Sequence, residues 1–586
     1  MFPLRFEVGQ FTLLFLVLTI FPYLSSGIFS LSYIKERKRE FRTFLFLTFI
    51  INILIFFSKD LLTFLFLFEL LSIASFPLII YERSREAIFA SKVYLMFSIL
   101  SGLCIIAGLM LFKEAPQFSS TAVSLATIGF LIKCGAYPFH VWLPKAHPVA
   151  PTPASAILSG CIIKIGFFGL IKLIPFLNSI NSHLYGMILL AISIITMFYG
   201  VLQALFQENS KVMLAYHSVS QMGYIIMGFS LFTISNSYVA LSGALFHALN
   251  HAYFKSALFL SVGSVFLEYQ SVNMYKIKGF FYRNRFIAIL FLVSVLGISG
   301  VPLFNGFISK TLLHEAILEE ESLIFKFVEI IFLVVAAGTF ISNFKMYYLI
   351  SFRGKQEHNT KKKANIYESI SLSILSLLII LLGIFPLLYG YIIPKTFSVH
   401  LYKELYELTP FRQLFLNGIN SFIIIAIAGV FGLIFGLKKN IFHKKIPLYL
   451  DPFSWWYAVY NFTILFFKKV ISKAELLIIK TFTFVVDILG GFLLFDSKVE
   501  KKLSKLIPTK TPKRAHKVDS SIARYYNDVF SFFKLLFTVA GKGDRREAKN
   551  YSVFLEKIGK TLLIALILIT IFLTIGFILL LQYLYI

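Results

Sequence analysis

The chain has 586 residues, of which 58% are hydrophobic and only 15% charged. A soluble protein carries roughly a quarter charged residues, so composition excludes an ordinary soluble domain. The net charge of +27 would suggest nucleic acid in a soluble protein, but here the basic residues fall in loops between apolar runs and mark membrane orientation instead.

Apolar runs of about 20 residues recur from end to end, each long enough to cross a bilayer as a helix. Spans are predicted near 11–33, 42–58, 61–80, 88–112, 120–142, 154–177, 184–206, 212–233, 238–267, 286–312, 323–350, 366–393, 414–436 and 560–583, fourteen in all. No A-x-A-like cleavage site follows the first run, so it reads as a retained helix. The loops "KERKREFR" (35–42), "EYQSVNMYKIKGFFYRNR" (268–285), "SFRGKQEHNTKKKAN" (351–365) and "GLKKNIFHKKIP" (436–447) are net positive and fall on one side. The acidic "EAILEEES" (315–322) falls on the other. The basic side is the cytoplasmic one, which places both termini on the outer side of a cytoplasmic membrane.

Residues 453–495 read differently. Lys469, Lys473, Lys480 and Asp487 fall within a stripe roughly 40° wide at helical spacing. That pattern predicts a long helix lying along the membrane or along neighbouring proteins, with 518–540 a second of the kind and 560–583 an anchor. A tail packed on its own bundle is the alternative.

Ionisable groups at the bilayer centre cost at least about 2.5–3.5 kcal/mol each, so several of them need a reason. Glu69 and Lys133 are candidate partners, either as a static ion pair or as a switchable one that loads and releases a proton. Lys164, Lys211, His217 and Lys310 are further interior or near-interior groups. Lys133 precedes a run with Pro138, Pro144, Pro148, Pro151 and Pro153, and Lys310 ends a run with Gly300, Pro302 and Gly306. Each proline removes a backbone donor, and broken helices survive at membrane depth only where protein or water covers the freed groups. The two breaks lie five spans apart, hence in units of opposite topology, which points to an inverted repeat around a transport site. In "HALNHAYFK", His247, His251 and Lys255 advance only about 40° per step and share one helix face. They form either a proton-passing ladder or a stripe of helix–helix hydrogen bonds. A zinc site is disfavoured, because no H-E-x-x-H or third ligand lies nearby. Cys104, Cys134 and Cys161 form no C-x-x-C pair, and no Walker A or G-x-G-x-x-G loop is present, so iron–sulfur, zinc and nucleotide sites are not expected in this chain.

The stretches "GAYPFHVWLPKAHPVAPTPASAILSGCIIKIG", "NSKVMLAYHSVSQMGYIIMG", "FHALNHAYFKSALFL" and "GVPLFNGFISK" resemble the antiporter-like proton-pumping subunits. That family spans respiratory complex I, group 4 membrane-bound hydrogenases, formate hydrogenlyase and Mrp-type cation/proton antiporters. The resemblance covers about residues 60–345. It implies that Glu69 and Lys133 form the charged pair at the mouth of the first half-channel and that Lys164 is the next relay lysine. Lys211 would lead into the following helix near His217. His247, His251 and Lys255 would carry a hydrated central axis, with Lys310 near the outlet. It also implies a lateral helix and an anchor span at the C-terminus. The first span resembles the third helix of the long family members, so two N-terminal helices are expected to be missing. "LSGCIIKIG" resembles hydrogenase and Mrp relatives, while the tail resembles complex I.

The fold expected is an all-α polytopic membrane protein of about fourteen transmembrane helices. It divides into an N-terminal helix (1–41), two inverted five-helix repeats (42–177 and 184–350), peripheral helices (366–436), lateral amphipathic helices (453–540) and an anchor (560–583). The expected function is proton or Na⁺/H⁺ translocation within a redox-driven complex. The rivals are a cation/proton antiporter subunit without redox chemistry and a structural subunit with a static polar axis. Iron–sulfur, flavin or NiFe centres are expected only in partner subunits. The expected partners are other antiporter-like and small membrane subunits, peripheral redox subunits and the lipid bilayer, with no nucleic acid.

Overall fold

A computed structural model describes residues 4–114, 119–354, 365–392 and 408–438. All of them belong to the first of two compact units, Met1–Glu475. The expected lateral helices (453–540) and the anchor (560–583) lie outside the described residues.

Among the described residues the architecture is helical, with no strand beyond two isolated bridges. Four helices open the chain: α1 (Thr12–Tyr33), α2 (Lys38–Phe56), α3 (Leu61–Ile79) and α4 (Arg85–Glu114). Next comes an interrupted stretch: α5 (Ser119–Cys134), α6 (Trp142–Val149), α7 (Thr152–Ile157) and α8 (Lys164–Lys172). Two long helices, α9 (Ser182–Leu205) and α10 (Ser210–Ser235), pack against each other and lead into the longest, α11 (Tyr238–Tyr269). The short α12 (Phe280–Arg283) precedes a second interrupted pair, α13 (Arg285–Ser299) and α14 (Asn305–Leu318). The described part ends with α15 (Leu323–Ser351), α16 (Ile366–Ile384) and α17 (Leu408–Lys438).

Local chemistry sets the ends. The side chains of Asp60, Asn181, Asn209, Ser237, Asn284 and Asn365 accept hydrogen bonds from the first-turn amides of the helices that follow them. Asn236, Gln270 and Gly300 close α10, α11 and α13 in the left-handed conformation.

Nine helices among the described residues are long and apolar enough to cross a membrane. The protein is a multi-pass membrane protein. α10 and α11 are long enough but fall outside the nine. Their buried serines, histidines, Gln221, Asn250 and Lys255 dilute the apolar signal, so the helices with the most interior polar groups look least like spans.

Several expected spans are corrected. The span at 120–142 stops at Cys134, where Gly135 adopts φ +68° and the chain turns through Phe139–Val141 before α6 begins. The span at 154–177 is two helices joined by one π-turn, Leu158–Ile162. The span at 286–312 divides at Gly300, whose φ of +74° a residue with a side chain rarely adopts. The span at 366–393 ends as a helix at Ile384, ahead of Pro386. The window Thr152–Lys172 is wholly buried, so this interrupted segment forms the centre of the bundle and not its lipid-facing wall.

Candidate functional site: a buried polar axis

At both breaks a side chain donates to a backbone carbonyl. At the first, Trp142 Nε1 donates to Ile132 O at 3.1 Å. At the second, Lys310 Nζ donates to Ile298 O at 2.8 Å. Asn250 of α11 braces the second break, donating from Nδ2 to Asn305 O at 2.7 Å while its Oδ1 accepts from the Tyr389 hydroxyl at 2.6 Å. The irregular backbone is thus covered by protein, as membrane depth requires.

The centre of the site is one face of α11. His247, His251 and Lys255 are fully buried. The two imidazole rings are stacked, with centroids 6.5 Å apart and planes within 4°. His247 Nδ1 lies 3.0 Å from Ser309 Oγ and its Nε2 3.1 Å from Gln221 Oε1, which ties α11 to α14 and α10. Neither ring nitrogen of His251 meets a protein partner among the described residues.

A chain of contacts joins Lys255 to Lys164. Lys255 Nζ donates to Leu214 O at 2.5 Å, and the Ser218 hydroxyl donates to the same carbonyl at 3.0 Å. Ser218 Oγ lies 2.7 Å from Ser159 Oγ, and Ser159 O accepts from Lys164 Nζ at 2.5 Å. Ser159 belongs to the π-turn, where the wider backbone bonding leaves its carbonyl open to the lysine. π-turns often occur at functional positions in helices, and here the turn brings a lysine and a hydroxyl into one file.

The file extends towards the start of α10. The Lys255 ammonium lies 5.7 Å from the Phe259 ring centroid, and His147 of α6 stacks on that ring at 4.7 Å. Lys211 Nζ donates to Ala150 O at 3.0 Å, just past the end of α6. His217 is held from α15, with its Nε2 2.7 Å from Ser342 Oγ and 3.3 Å from Asn343 Nδ2. At the other end, Tyr224 stands between the groups, 5.6 Å from the Lys310 ammonium and 5.5 Å from the His247 ring.

Glu69 and Lys133 form a separate cluster. Among the described residues the two side chains make no direct ion pair. Lys133 Nζ is held by Ser72 Oγ at 2.9 Å and the Tyr94 hydroxyl at 3.3 Å, one turn along α3 from Glu69. The Glu69 carboxyl instead lies against α4 at Gly102, where a β-carbon would fall 1.8 Å from Oε1. Only glycine leaves room for it there. Glu69 and Lys133 still interact through space.

The structure therefore brings Lys164, Lys211, His217, His247, His251, Lys255 and Lys310 around one interior file and leaves Glu69 and Lys133 beside it. Among the described residues, Lys133, Lys164, Lys211, Lys255 and Lys310 are held by carbonyls, hydroxyls and aromatic faces, with no carboxylate in contact. His147, the Ser159–Ser218 pair and Asn250 were not singled out from sequence. His147 stands in the proline-rich run with its spacing intact, but the serines carry no signal that separates them from the other serines of their helices.

The family description "NADH:quinone oxidoreductase/Mrp antiporter, TM" matches residues 58–337. Hydrogenase-4 component B of Escherichia coli is 36% identical over 271 residues, which is 42% of this chain and 40% of that protein. The match thus spans well under half of that relative's length. NADH-quinone oxidoreductase subunit M of Rickettsia conorii is 28% identical over 403 residues, 65% of this chain and 80% of that protein. The fold is also similar to a chain in the Mrp complex from a Dietzia species, with a TM-score of 0.60 and 21% identity over 70% of this chain and 86% of that one. Both breaks and the whole of the file up to Lys310 lie within the matched segment.

Proposed function

We propose that this chain is an ion-translocating subunit of a redox-driven membrane complex, moving protons, or exchanging Na⁺ for H⁺, through two half-channels. The halves are residues 42–177 and 184–350, related as inverted repeats, each with its broken helix. Electron transfer takes place in peripheral partner subunits that hold the redox centres, and this chain sits in the cytoplasmic membrane beside other antiporter-like and small membrane subunits. The lysine-rich loops set the orientation, with both termini outside.

The observation that supports this reading best is the file of buried titratable groups on α11, α8 and α14, held by neutral acceptors. A static polar core would pair its charges, since an unpaired buried charge is costly. Groups held by carbonyls and hydroxyls change protonation without breaking an ion pair, and each change alters the field on its neighbours. Glu69 and Lys133 serve as the loading station of the first half. Lys133→Ala tests the reading: the complex still assembles, and coupled ion movement in proteoliposomes stops. Unchanged ion movement would rule out the relay.

A second reading, a subunit of a cation/proton antiporter without redox chemistry, fits the same family description, which joins both classes. Copurification from native membranes, with an iron assay on the same sample, separates them. Iron-containing companions support the redox-driven complex. Only small membrane proteins without iron support the antiporter.

A further inference from the structure

Lys310 is not the last titratable group on α14. His314 lies one turn beyond it and is 6% exposed. Its Nε2 is 3.1 Å from Glu329 Oε1 on α15, and its Nδ1 is 3.2 Å from Ser421 Oγ on α17. The imidazole thus bridges a carboxylate and a hydroxyl from two other helices. It stacks on Phe332 at 5.4 Å, Phe332 meets Tyr224 edge-on at 5.2 Å, and Tyr224 faces Lys310. One aromatic wall therefore runs from Lys310 to His314.

Exposure rises along this line. Lys310 and His314 are buried, whereas the Glu329 side chain is 30% exposed. Glu329 lies about 9 Å along α15 from its first residue, near the helix end that follows the acidic run Glu319, Glu320 and Glu321. Glu315 adjoins His314 on α14, and Lys326 precedes Glu329 by one turn on α15. The remaining contact from α17 is the neutral Ser421.

We propose that the His314–Glu329 pair is the outlet of the second half-channel, passing protons from Lys310 to the outer surface. A proton leaving the Lys310 ammonium, one turn back on α14, is taken up at His314 Nδ1, the ring nitrogen turned towards Ser421. The proton on Nε2 passes to Glu329 Oε1, and the carboxyl releases it to water. One proton moves, and no electrons do. Imidazole suits this step because one nitrogen accepts while the other donates.

This inference rests on the relay reading, so Lys133→Ala is measured beside it. The assembled complex is purified with His314→Ala, Glu329→Gln or Lys133→Ala and placed in proteoliposomes, and ion movement per turnover is followed. The expected result is a loss of roughly tenfold or more in both outlet variants. Imidazole added on the outer side restores the His314→Ala complex, which a purely structural role would not allow. Full movement in Glu329→Gln, or a His314→Ala defect that imidazole leaves unchanged, overturns the outlet. If Lys133→Ala stops movement in the same experiment, the relay survives that result. If His314→Ala fails to assemble, Glu329→Gln, which keeps an acceptor for the imidazole, decides alone. Full movement in Lys133→Ala removes the relay reading itself.

Discussion

The rings of His247 and His251 lie parallel within 4°, yet one is bonded at both nitrogens and the other at neither. His247 is fixed between α10 and α14, and His251 is held by packing alone. The two residues therefore respond differently to replacement. His251→Leu removes an unbonded polar ring from a buried site and is expected to leave thermal stability of the solubilised complex unchanged or raised by about 1 kcal/mol. The same change is expected to abolish ion movement. A variant that unfolds at lower temperature would show that the imidazole is structural.

Ser218→Ala removes the side-chain hydroxyl that faces Ser159 across the gap between Lys164 and Lys255. The loss of its two buried hydrogen bonds costs about 1–3 kcal/mol, and the complex is expected to assemble. Ion movement is expected to fall roughly tenfold or more, in the range of a lost proton-transfer group. Stopped-flow measurement of pH change in proteoliposomes reads this directly, and normal rates would remove the serine pair from the path.

Gly102→Ala places a methyl group where the Glu69 carboxyl now lies. The carboxylate must move, and because it ends a flexible side chain it can do so at little cost to stability. Reduced ion movement is expected with assembly retained, and a Glu69→Gln background should show no further loss. Additive defects in the double variant would place Gly102 outside the Glu69 station.

Tyr389→Phe removes the hydroxyl that orients Asn250 at the second break. A destabilisation of about 1–2 kcal/mol is expected from thermal denaturation of the complex. The defect should exceed that of Tyr391→Phe, whose side chain is 77% exposed.

Much of this was legible in the sequence. The face of α11 follows from four-residue spacing alone, and the breaks follow from proline and glycine. The spacing of His247, His251 and Lys255 also fixed which groups share the axis. The partners were not legible. Lys164, Lys211, Lys255 and Lys310 donate to backbone carbonyls, and no residue type announces which carbonyl will serve. Opposite charges in sequence suggest the Glu69–Lys133 pair, while Ser72 and Tyr94, which hold the ammonium, look like ordinary helix residues. The π-turn at Leu158–Ile162 has no composition signature either, because its residues are common in regular helices.

Lys164, Lys211, Lys255 and Lys310 all donate to main-chain oxygen. A carbonyl is present whatever side chain a codon specifies, so no single substitution deletes these acceptors. Point changes at Ser159, Ala150, Leu214 or Ile298 leave the receiving atom in place and alter only its surroundings. Only the donors change by substitution: exchanging a lysine for a histidine alters the donor while the oxygen scaffold stays inherited from the shape of the chain.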